Sequence, residues 1–320
     1  MKAVSDVLLN IMFPLRMLLK LYSLCILMVD ISWVLVNTAF AIIQTGYETF
    51  RPPPMKSVRL ETAMVVGAGR GVGRSIAIQL AELGAIVICV DKNSANNDIT
   101  IEIIKSKGGV ATGYMCDVTK RHDVEETANV IQQEMGFVSM LFYCCGIPST
   151  RSLMEDPEPD IHETLDLSLT SYFWFIDLYM PTMKNKNRGH FVALTSVAGL
   201  SRVGGDLPLS VAQFAVQGLA ESLMEDLRIH KIDGVYVTLV HIYPFIVGNE
   251  HPEMKQRIPS FFGTISPDEA AKSILDNVRR NYTEVSVPKN LLFLGRLLKI
   301  LPRKATALIR DLLDTGVDFV

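Results

Sequence analysis

The hydrophobic pattern divides the chain into a nearly continuous apolar segment at the N-terminus and a longer region in which apolar runs alternate with amphipathic stretches. Short apolar runs, typical of buried parallel strands, occupy residues 63–66, 85–90, 110–116, 138–144, 190–196 and 234–241. Between them, apolar residues recur with helical periodicity at 76–83, 99–107, 124–135, 161–183 and 209–230. This alternation predicts an α/β fold with a doubly wound parallel sheet.

A glycine-rich turn follows the first predicted strand and leads directly into a predicted helix. The turn contains Gly67, Gly69, Arg70, Gly71, Val72 and Gly73. Strand, tight turn and helix form the layout in which a phosphate approaches backbone N–H groups at a helix N-terminus. The sequence therefore predicts a dinucleotide-type Rossmann unit; a glycine-rich turn in another kind of α/β domain is the alternative.

The second predicted strand ends in Asp91. A carboxylate at this position is placed to accept hydrogen bonds from a ribose 2′-hydroxyl and would repel a 2′-phosphate. We therefore expect NAD as the cofactor, in preference to NADP. Arg70 and Lys92 are close enough in sequence to soften that preference.

The first 46 residues predict a hydrophobic membrane anchor. Residues 21–43 are long enough to cross a bilayer, and Asp30 is their only charged residue. Because a carboxylate at mid-membrane costs about 3 kcal/mol, a helix or helical hairpin lying partly in one leaflet is favoured over a single span. A cleaved signal peptide is the weakest alternative. Residues 47–56, which contain three consecutive prolines flanked by basic residues, predict a stiff, extended linker.

Composition restricts the classes of function. The chain has 320 residues, 49% of them hydrophobic, and a net charge of −3, which gives no reason to expect a nucleic-acid partner. Its five cysteines have neither metal-ligand spacing nor the spacing of a disulfide framework; they are Cys25, Cys89, Cys116, Cys144 and Cys145. We expect reduced thiols and no metal site, with the adjacent Cys144 and Cys145 as packing residues.

Several motifs together resemble those of one enzyme family. They are Gly67-Ala68-Gly69-Arg70-Gly71-Val72-Gly73, Asp91, Asp117-Val118, Gly146-Ile147 and Thr195-Ser196-Val197-Ala198-Gly199. In order and spacing they resemble the short-chain dehydrogenases/reductases over about residues 57–260. The resemblance implies a single Rossmann domain at 57–287 that binds NAD(P), with Asp117, Val118 and Gly146 among the cofactor-binding residues.

The apolar N-terminus and the sequence Lys56-Ser57-Val58 resemble the membrane-associated branch that includes microsomal retinol dehydrogenases and 17-beta-hydroxysteroid dehydrogenases. That resemblance implies a lipophilic alcohol or ketone as the small-molecule partner. It also implies location on the endoplasmic reticulum membrane or on lipid droplets, with the globular domain facing the cytosol, and assembly as a homodimer.

The catalytic positions of the family are altered in this chain. In the family a tyrosine acts as general acid/base, a lysine lowers its pKa, a serine binds the substrate oxygen and an asparagine holds a water. By the family's spacing these positions fall on Leu209, Gln213, Ser196 and Ser168, in that order. Leucine has no proton to exchange and glutamine has no charge to stabilise a phenolate, and loss of general acid/base catalysis typically slows a reaction about 10²–10⁴-fold. We therefore expect impaired catalysis.

Two alternatives remain open at this stage. His241 and Tyr243 lie at the end of the sixth predicted strand, where ligands bind in such sheets, and either could supply a relocated proton donor. The threonine that holds the nicotinamide carboxamide in the family is missing near Pro244, so cofactor binding is expected to be weak at the nicotinamide end. The chain is thus either a catalytically impaired NAD-binding protein or an active oxidoreductase with a non-standard proton donor.

The C-terminal residues 288–320 predict an amphipathic helical extension. Residues 291–301 carry leucines on one face and basic residues on the other. Such a helix can lie on anionic lipid, or it can pack against its own domain or across a dimer. Before it, Ser266-Pro267-Asp268-Glu269 has the residues of a helix start.

Overall fold

The computed structural model describes residues 2–146, 161–196, 207–242 and 265–313 and divides into two units, Met1–Pro54 and Met55–Val320. The first unit is one uninterrupted helix, α1 (Lys2–Phe50), and not a helical hairpin. Its stretch Met17–Phe50 contains an 18-residue window with a mean hydropathy of 2.1, and that window is not buried against protein. At about 1.5 Å per residue, those 34 residues exceed the roughly 30 Å hydrocarbon core of a bilayer.

A wholly parallel sheet of seven strands forms the centre of the second unit. The strands are β1 (Thr62–Val66), β2 (Ile86–Asp91), β3 (Val110–Met115), β4 (Met140–Tyr143), β5 (Gly189–Ser196), β6 (Val235–Ile242) and β7 (Glu284–Val287). Their spatial order is β3-β2-β1-β4-β5-β6-β7. The predicted doubly wound α/β fold is therefore confirmed.

Helices cover both faces of this sheet. They are α2 (Gly71–Glu82), α3 (Ser94–Ser106), α4 (Arg121–Met135), α5 (Ile161–Leu165), α6 (Ser171–Asn185), α7 (Leu207–Ile229), α8 (Pro267–Val278), α9 (Asn290–Ile300) and α10 (Arg303–Leu313). A π-helical turn, Asp166–Thr170, joins α5 to α6. The continuous helix predicted for 161–183 is thus three segments, and π-helical turns of this kind often occur at functional sites.

The core consists of two apolar layers, one on each face of the sheet. Helices α2, α3 and α8 contribute to the first layer through fully buried residues such as Ile76 and Ile274. Helices α4, α6 and α7 contribute to the second, where Tyr172 and Val216 are buried. Because both faces are covered, the strands read as continuous apolar runs in the sequence, which is why their positions were predictable.

One element was missed from the sequence, β7; α9 and α10 both lie within the helical extension predicted for residues 288–320. Strand β7 has four residues and places polar Glu284 and Ser286 between its valines. It lies at the edge of the sheet and pairs only with β6. An alternating pattern this short is a weak signal, although it is the pattern expected for an edge strand.

Helix α8 begins at the residues predicted to form a helix start, with Ser266 as its N-cap. Ser266 accepts a hydrogen bond from the backbone N–H of Glu269, and the Glu269 carboxylate accepts one from the backbone N–H of Ser266. This reciprocal capping box satisfies two N–H groups that the helix leaves without partners. Asp268 in the same turn accepts a hydrogen bond from Ser75 of α2 at 2.6 Å, so the cap also fixes α8 against α2.

A charged network connects the last two strands to α9. His241 of β6 is fully buried, and its Nε2 lies 2.9 Å from Oε1 of Glu284 on β7. Arg296 of α9 forms an ion pair with the other carboxylate oxygen. Hydrogen bonds from His241 and then from Arg296 lower the pKa of Glu284 to about 2, against the opposing effect of burial.

We predict that Glu284→Gln destabilises the folded protein by about 1–3 kcal/mol, because buried His241 loses its charged partner. The folded state binds the Glu284 proton more weakly than the unfolded state does. Its stabilisation is therefore complete above about pH 4.5 and is lost as the pH falls towards 2. Thermal unfolding of the detergent-solubilised chain between pH 6 and 2 should show this loss in the native protein and a flatter profile in the variant. Glu225→Gln, at an exposed pair with Arg228, is the control and should change little.

Candidate functional site

The predicted site residues gather at the carboxyl edge of the sheet. The strand order reverses between β1 and β4, and open parallel sheets bind ligands in the crevice at such a switch point. The glycine-rich turn follows β1, Asp91 ends β2, Gly146 follows β4 and Ser196 ends β5. Residues far apart in sequence therefore line one crevice, as the topology requires.

The glycine-rich turn has a backbone that other residues cannot easily adopt. Gly67 and Gly71 have positive φ angles of 86° and 56°, in the region that favours glycine. A Cβ added at Gly73 would collide with the carbonyl oxygen of Gly67. Helix α2 begins at Gly71 with Arg70 extended before it and, in the described structure, has no side-chain cap. Its first N–H groups are thus available to a phosphate.

Asp91 supports this turn directly. Its Oδ2 accepts a hydrogen bond from the N–H of Gly69 at 2.8 Å, and its Oδ1 accepts one from the N–H of Asn93 at 2.9 Å. A Cβ at position 69 would lie 2.7 Å from the carboxyl carbon, so only glycine permits this approach. Each carboxylate oxygen can accept a further hydrogen bond, which leaves capacity for the ribose hydroxyls of a dinucleotide.

Two residues that brace the turn were missed from the sequence. The Arg74 guanidinium donates to the carbonyl oxygen of Gly69 and to Thr100 Oγ1, the latter at 3.1 Å. Thr100, which is fully buried on α3, donates to the carbonyl oxygen of Ala68 at 2.9 Å. The sequence signal that could have indicated this role was Arg74 in the first turn of α2. Together they fix the carbonyl groups of Ala68 and Gly69 in the turn.

The other predicted cofactor residues also lie at this edge. Asp117 Oδ1 accepts hydrogen bonds from the hydroxyl and the backbone N–H of Thr119, at 2.7 and 3.1 Å. Val118 is buried. Gly146 has a φ of 77°, and a Cβ there would lie 2.7 Å from the Cα of Ser168. Gly146 therefore permits the end of β4 to approach the π-helical turn closely.

Gln213 and Ser168 meet at one backbone atom. Gln213 Nε2 and Ser168 Oγ both donate to the carbonyl oxygen of Gly146, each at 3.1 Å. Both side chains are almost completely buried. The positions that carry lysine and asparagine in the resembled family thus hold neutral side chains that bind the protein's own backbone.

The other end of the Gln213 amide holds the end of β5. Its Oε1 accepts hydrogen bonds from the backbone N–H of Ser196 and from Thr195 Oγ1, both at 2.6 Å. Because the N–H of Ser196 can only donate and the Gly146 carbonyl can only accept, the orientation of the amide is determined. A lysine could donate to Gly146 but could not accept from Ser196. Gln213 therefore works here as a bridge between β4, β5 and α7.

Leu209 lies one turn before Gln213 on α7 and is buried. Ser196, at the end of β5, is also buried. Hydrogen bonds thus link Gln213 to Ser196 directly and to Ser168 through the Gly146 carbonyl, with Leu209 one turn away on the same helix. The serine hydroxyls apart, this group offers no side chain with a proton to exchange near neutral pH.

The adjacent cysteines lie beneath the glycine-rich turn. A Cβ at Gly67 would be 2.9 Å from the Cys145 Sγ, and one at Gly73 would be 3.4 Å from the Cys144 Cβ. Burial raises the pKa of both thiols well above the usual range, so neither is a ready nucleophile. Among the described residues, no group of three His, Cys, Asp or Glu side chains could hold a metal ion.

The two proposed replacement donors differ in position. His241 is bonded to Glu284 and fully buried beneath the edge, which makes it a structural residue of the β6–β7 pair. Tyr243 and Pro244 lie outside the described residues.

We predict that Gln213→Leu destabilises the fold by about 1–3 kcal/mol, because the buried N–H of Ser196 loses its acceptor. Gln217→Leu, one turn later on α7 at a half-buried position where the amide is paired with exposed Glu221, should change stability little. Denaturant unfolding of the detergent-solubilised chain measures both. Equal stability of the two variants would show that the bridge contributes nothing.

Comparison with known proteins agrees with this geometry. The family model for short chain dehydrogenases matches residues 61–257. Epidermal retinol dehydrogenase 2 of Mus musculus is 31% identical over 261 residues, which cover 81% of this chain and 84% of the relative. Estradiol 17-beta-dehydrogenase 11 of Homo sapiens is 26% identical over 293 residues, which cover 92% of this chain and 96% of the relative.

A solved structure shares the fold. The crystal structure of a metagenomic short-chain oxidoreductase in complex with NADP has a TM-score of 0.58 and 22% identity, covering 72% of this chain and 98% of that chain. With the sheet order, the glycine-rich turn and the family match together, the chain belongs to the short-chain dehydrogenase/reductase family.

Proposed function

We propose that this chain is a membrane-anchored member of its family that binds NAD(H) but is impaired in proton transfer, with a ligand-binding, scaffolding or regulatory role. One observation carries the proposal: the Gln213 amide at the family's lysine position is directed into the fold and bonded to Ser196 and Gly146. A side chain used in this way has no charge with which to lower the pKa of a neighbouring acid.

The cradle fits a nicotinamide dinucleotide, as family membership implies. The N–H groups at the start of α2 would hold the pyrophosphate, and Asp91 would accept hydrogen bonds from the adenosine ribose. When bound, the cofactor supplies hydride transfer. Asp91 already accepts a hydrogen bond from the N–H of Gly69 in the turn, so this half of the site is organised before the cofactor binds. A 2′-phosphate would meet the Asp91 charge, which supports a preference for NADH over NADPH.

The proton-transfer half of the site lacks equivalent groups. Ser196 can orient a carbonyl, but a serine hydroxyl is a poor acid, and Leu209 has no proton to give. Ser168 donates to Gly146, so its hydroxyl proton is already used in the fold. Oriented binding without proton exchange is therefore what these residues support. We also propose that the nicotinamide end binds more weakly than the adenosine end.

The setting of this activity is part of the proposal. The length and hydropathy of Met17–Phe50 support membrane anchoring. Because α1 continues to Phe50, the linker to the globular domain begins at Arg51 and not at residue 47 as predicted. We propose location at the endoplasmic reticulum membrane or on lipid droplets, facing the cytosol, in homodimeric form. A lipophilic small molecule is the proposed ligand, in line with relatives named for retinol and estradiol.

The second candidate function is active NAD-dependent oxidation or reduction of a lipophilic alcohol or ketone. The names of the relatives, a retinol dehydrogenase and an estradiol dehydrogenase, favour it. This function requires a proton donor other than Leu209, and Tyr243 is the candidate. Substrate turnover that depends on Tyr243 distinguishes it from the impaired protein.

We predict that NADH at a hundredfold excess over its dissociation constant raises the free energy of unfolding by about 2.7 kcal/mol. Gly69→Ala should abolish this gain, because the new Cβ would lie 2.7 Å from the Asp91 carboxylate. Gly218→Ala is the control, since a Cβ there meets nothing within 4 Å. Thermal unfolding with NADH and with NADPH measures the shifts. A larger shift with NADPH would contradict the role of Asp91, and no shift with either would remove cofactor binding from the proposal.

We predict that the purified full-length chain turns over retinol, estradiol and a long-chain alcohol with NAD no faster than its Ser196→Ala variant. The reason is that no residue at the family's tyrosine and lysine positions can exchange a proton or stabilise a phenolate. Cofactor absorbance at 340 nm follows the reaction, with NADH-induced stabilisation confirming that the sample is competent. Turnover that Ser196→Ala or Tyr243→Phe abolishes would establish the second candidate instead.

A further inference from the structure

We infer that helices α9 and α10, with the adjoining part of α7, form a second membrane-contacting surface that rests on the anionic face of a phospholipid bilayer. This surface is separate from the apolar helix α1 and from the nucleotide crevice. It goes beyond the proposed function, because it concerns how the globular unit contacts lipid.

The surface begins with an apolar stripe on α9. Phe293, Leu297 and Ile300 are 74%, 42% and 81% exposed, and their spacing places them on one side of the helix. The opposite side is already buried against the domain through Leu291 and Leu298. The exposed stripe is therefore not needed to hold α9 in place, and exposed apolar groups concentrated on one helix face mark a contact site.

Neighbouring helices extend the apolar area. Lys299 of α9 lies 5.6 Å from the Phe214 ring centroid on α7 and 3.5 Å from Gln217 Oε1. Phe214 and Val211, on the same part of α7, are 40% and 60% exposed. The α9 stripe thus continues onto α7.

Helix α10 follows α9 along the chain and is bonded to it. Thr306 Oγ1 donates to the carbonyl oxygen of Leu298 at 3.0 Å, which ties α10 to the end of α9. Leu308 on α10 is 72% exposed, whereas Ile309 beside it is half-buried. An exposed leucine therefore follows the α9 stripe along the chain.

The charge of this segment identifies the partner. From residue 288 to the end of α10 at Leu313, Asp311 is the only acidic residue in the sequence, while the basic residues are Lys289, Arg296, Lys299, Arg303, Lys304 and Arg310. Arg296 is paired with Glu284. Lys299, Arg303 and Lys304 are exposed, and no carboxylate in the described part of the chain forms an ion pair with them. Apolar side chains among unpaired cations match the acyl and headgroup layers of an anionic membrane.

A second copy of the chain fits this surface less well. A two-fold symmetric interface places the same patch of each subunit against itself. Two such patches would bring the exposed cations Lys299, Arg303 and Lys304 of both copies together, which is unfavourable. An anionic bilayer neutralises the same charges, and each Lys or Arg near it strengthens attachment about fivefold.

The test is a depth measurement on the full chain in lipid nanodiscs. A nitroxide is attached at Ile300→Cys in a Cys25→Ser background; Cys25 is the exposed native cysteine in the described residues. Burial raises the pKa of the Cys89 thiol to about 12 and that of Cys116 to about 11, which disfavours their labelling. Collision with oxygen and with a nickel chelate reports lipid and water contact. Met115→Cys, 69% exposed at the opposite edge of the sheet, is the control position.

In discs containing phosphatidylserine we expect high oxygen and low nickel collision at position 300, with water-like values at position 115. Lys299→Glu, Arg303→Glu and Lys304→Glu together should remove the lipid signal. Substitution of exposed Lys105, Lys107 and Lys120 by glutamate should leave the lipid signal at position 300 intact.

Three results would overturn the inference. One is a label at position 300 that remains open to nickel in anionic discs. Another is equal protection in purely zwitterionic discs. The third is protection in detergent accompanied by a short distance between labels on two copies, which would assign the surface to self-association. NADH-induced stabilisation and retention by α1 are measured in the same samples, so failure here is distinguishable from failure of the proposed function.

Discussion

The carboxyl edge of the sheet depends on one buried amide. Gln213 reaches from α7 to the end of β5 through its oxygen and to the segment after β4 through its nitrogen. Two of the groups it meets, the N–H of Ser196 and the carbonyl oxygen of Gly146, are buried backbone groups, and such groups must find a partner inside the protein. The distance between β4, β5 and α7 at this edge is therefore set by a neutral side chain, at the position where the family's chemistry uses a cation.

The two halves of the crevice depend on different features of the chain. The adenosine half rests on backbone geometry: the left-handed glycines of the turn, the approach of Gly69 to Asp91, and the brace from Arg74 and Thr100. The proton-transfer half rests on the chemistry of a few side chains. Substituting those side chains leaves the sheet and the turn unchanged, so a chain can lose the second half while it keeps the first. This separation is the physical basis of the proposed function.

The same distinction explains what the sequence could predict. The strand positions follow from local hydrophobicity, and the glycine-rich turn and Asp91 follow from spacing, so these were predictable. The family's spacing was enough to predict that Leu209 and Gln213 occupy the tyrosine and lysine positions. The direction of the Gln213 amide was not, because it depends on β4, β5 and α7 meeting in space. The bracing role of Arg74 and the pairing of β7 with β6 were missed for the same reason: each partner lies on a different element.

Gln213 also explains why the altered site is stable. A buried lysine without an anionic partner pays a desolvation penalty that is several-fold larger than that of an amide. In an active member of the family, a bound cofactor and a nearby hydroxyl can share that cost. A glutamine that bonds Ser196 and Gly146 removes it altogether and does so with or without cofactor. The ends of β4 and β5 are therefore held by a bridge that belongs to the fold itself.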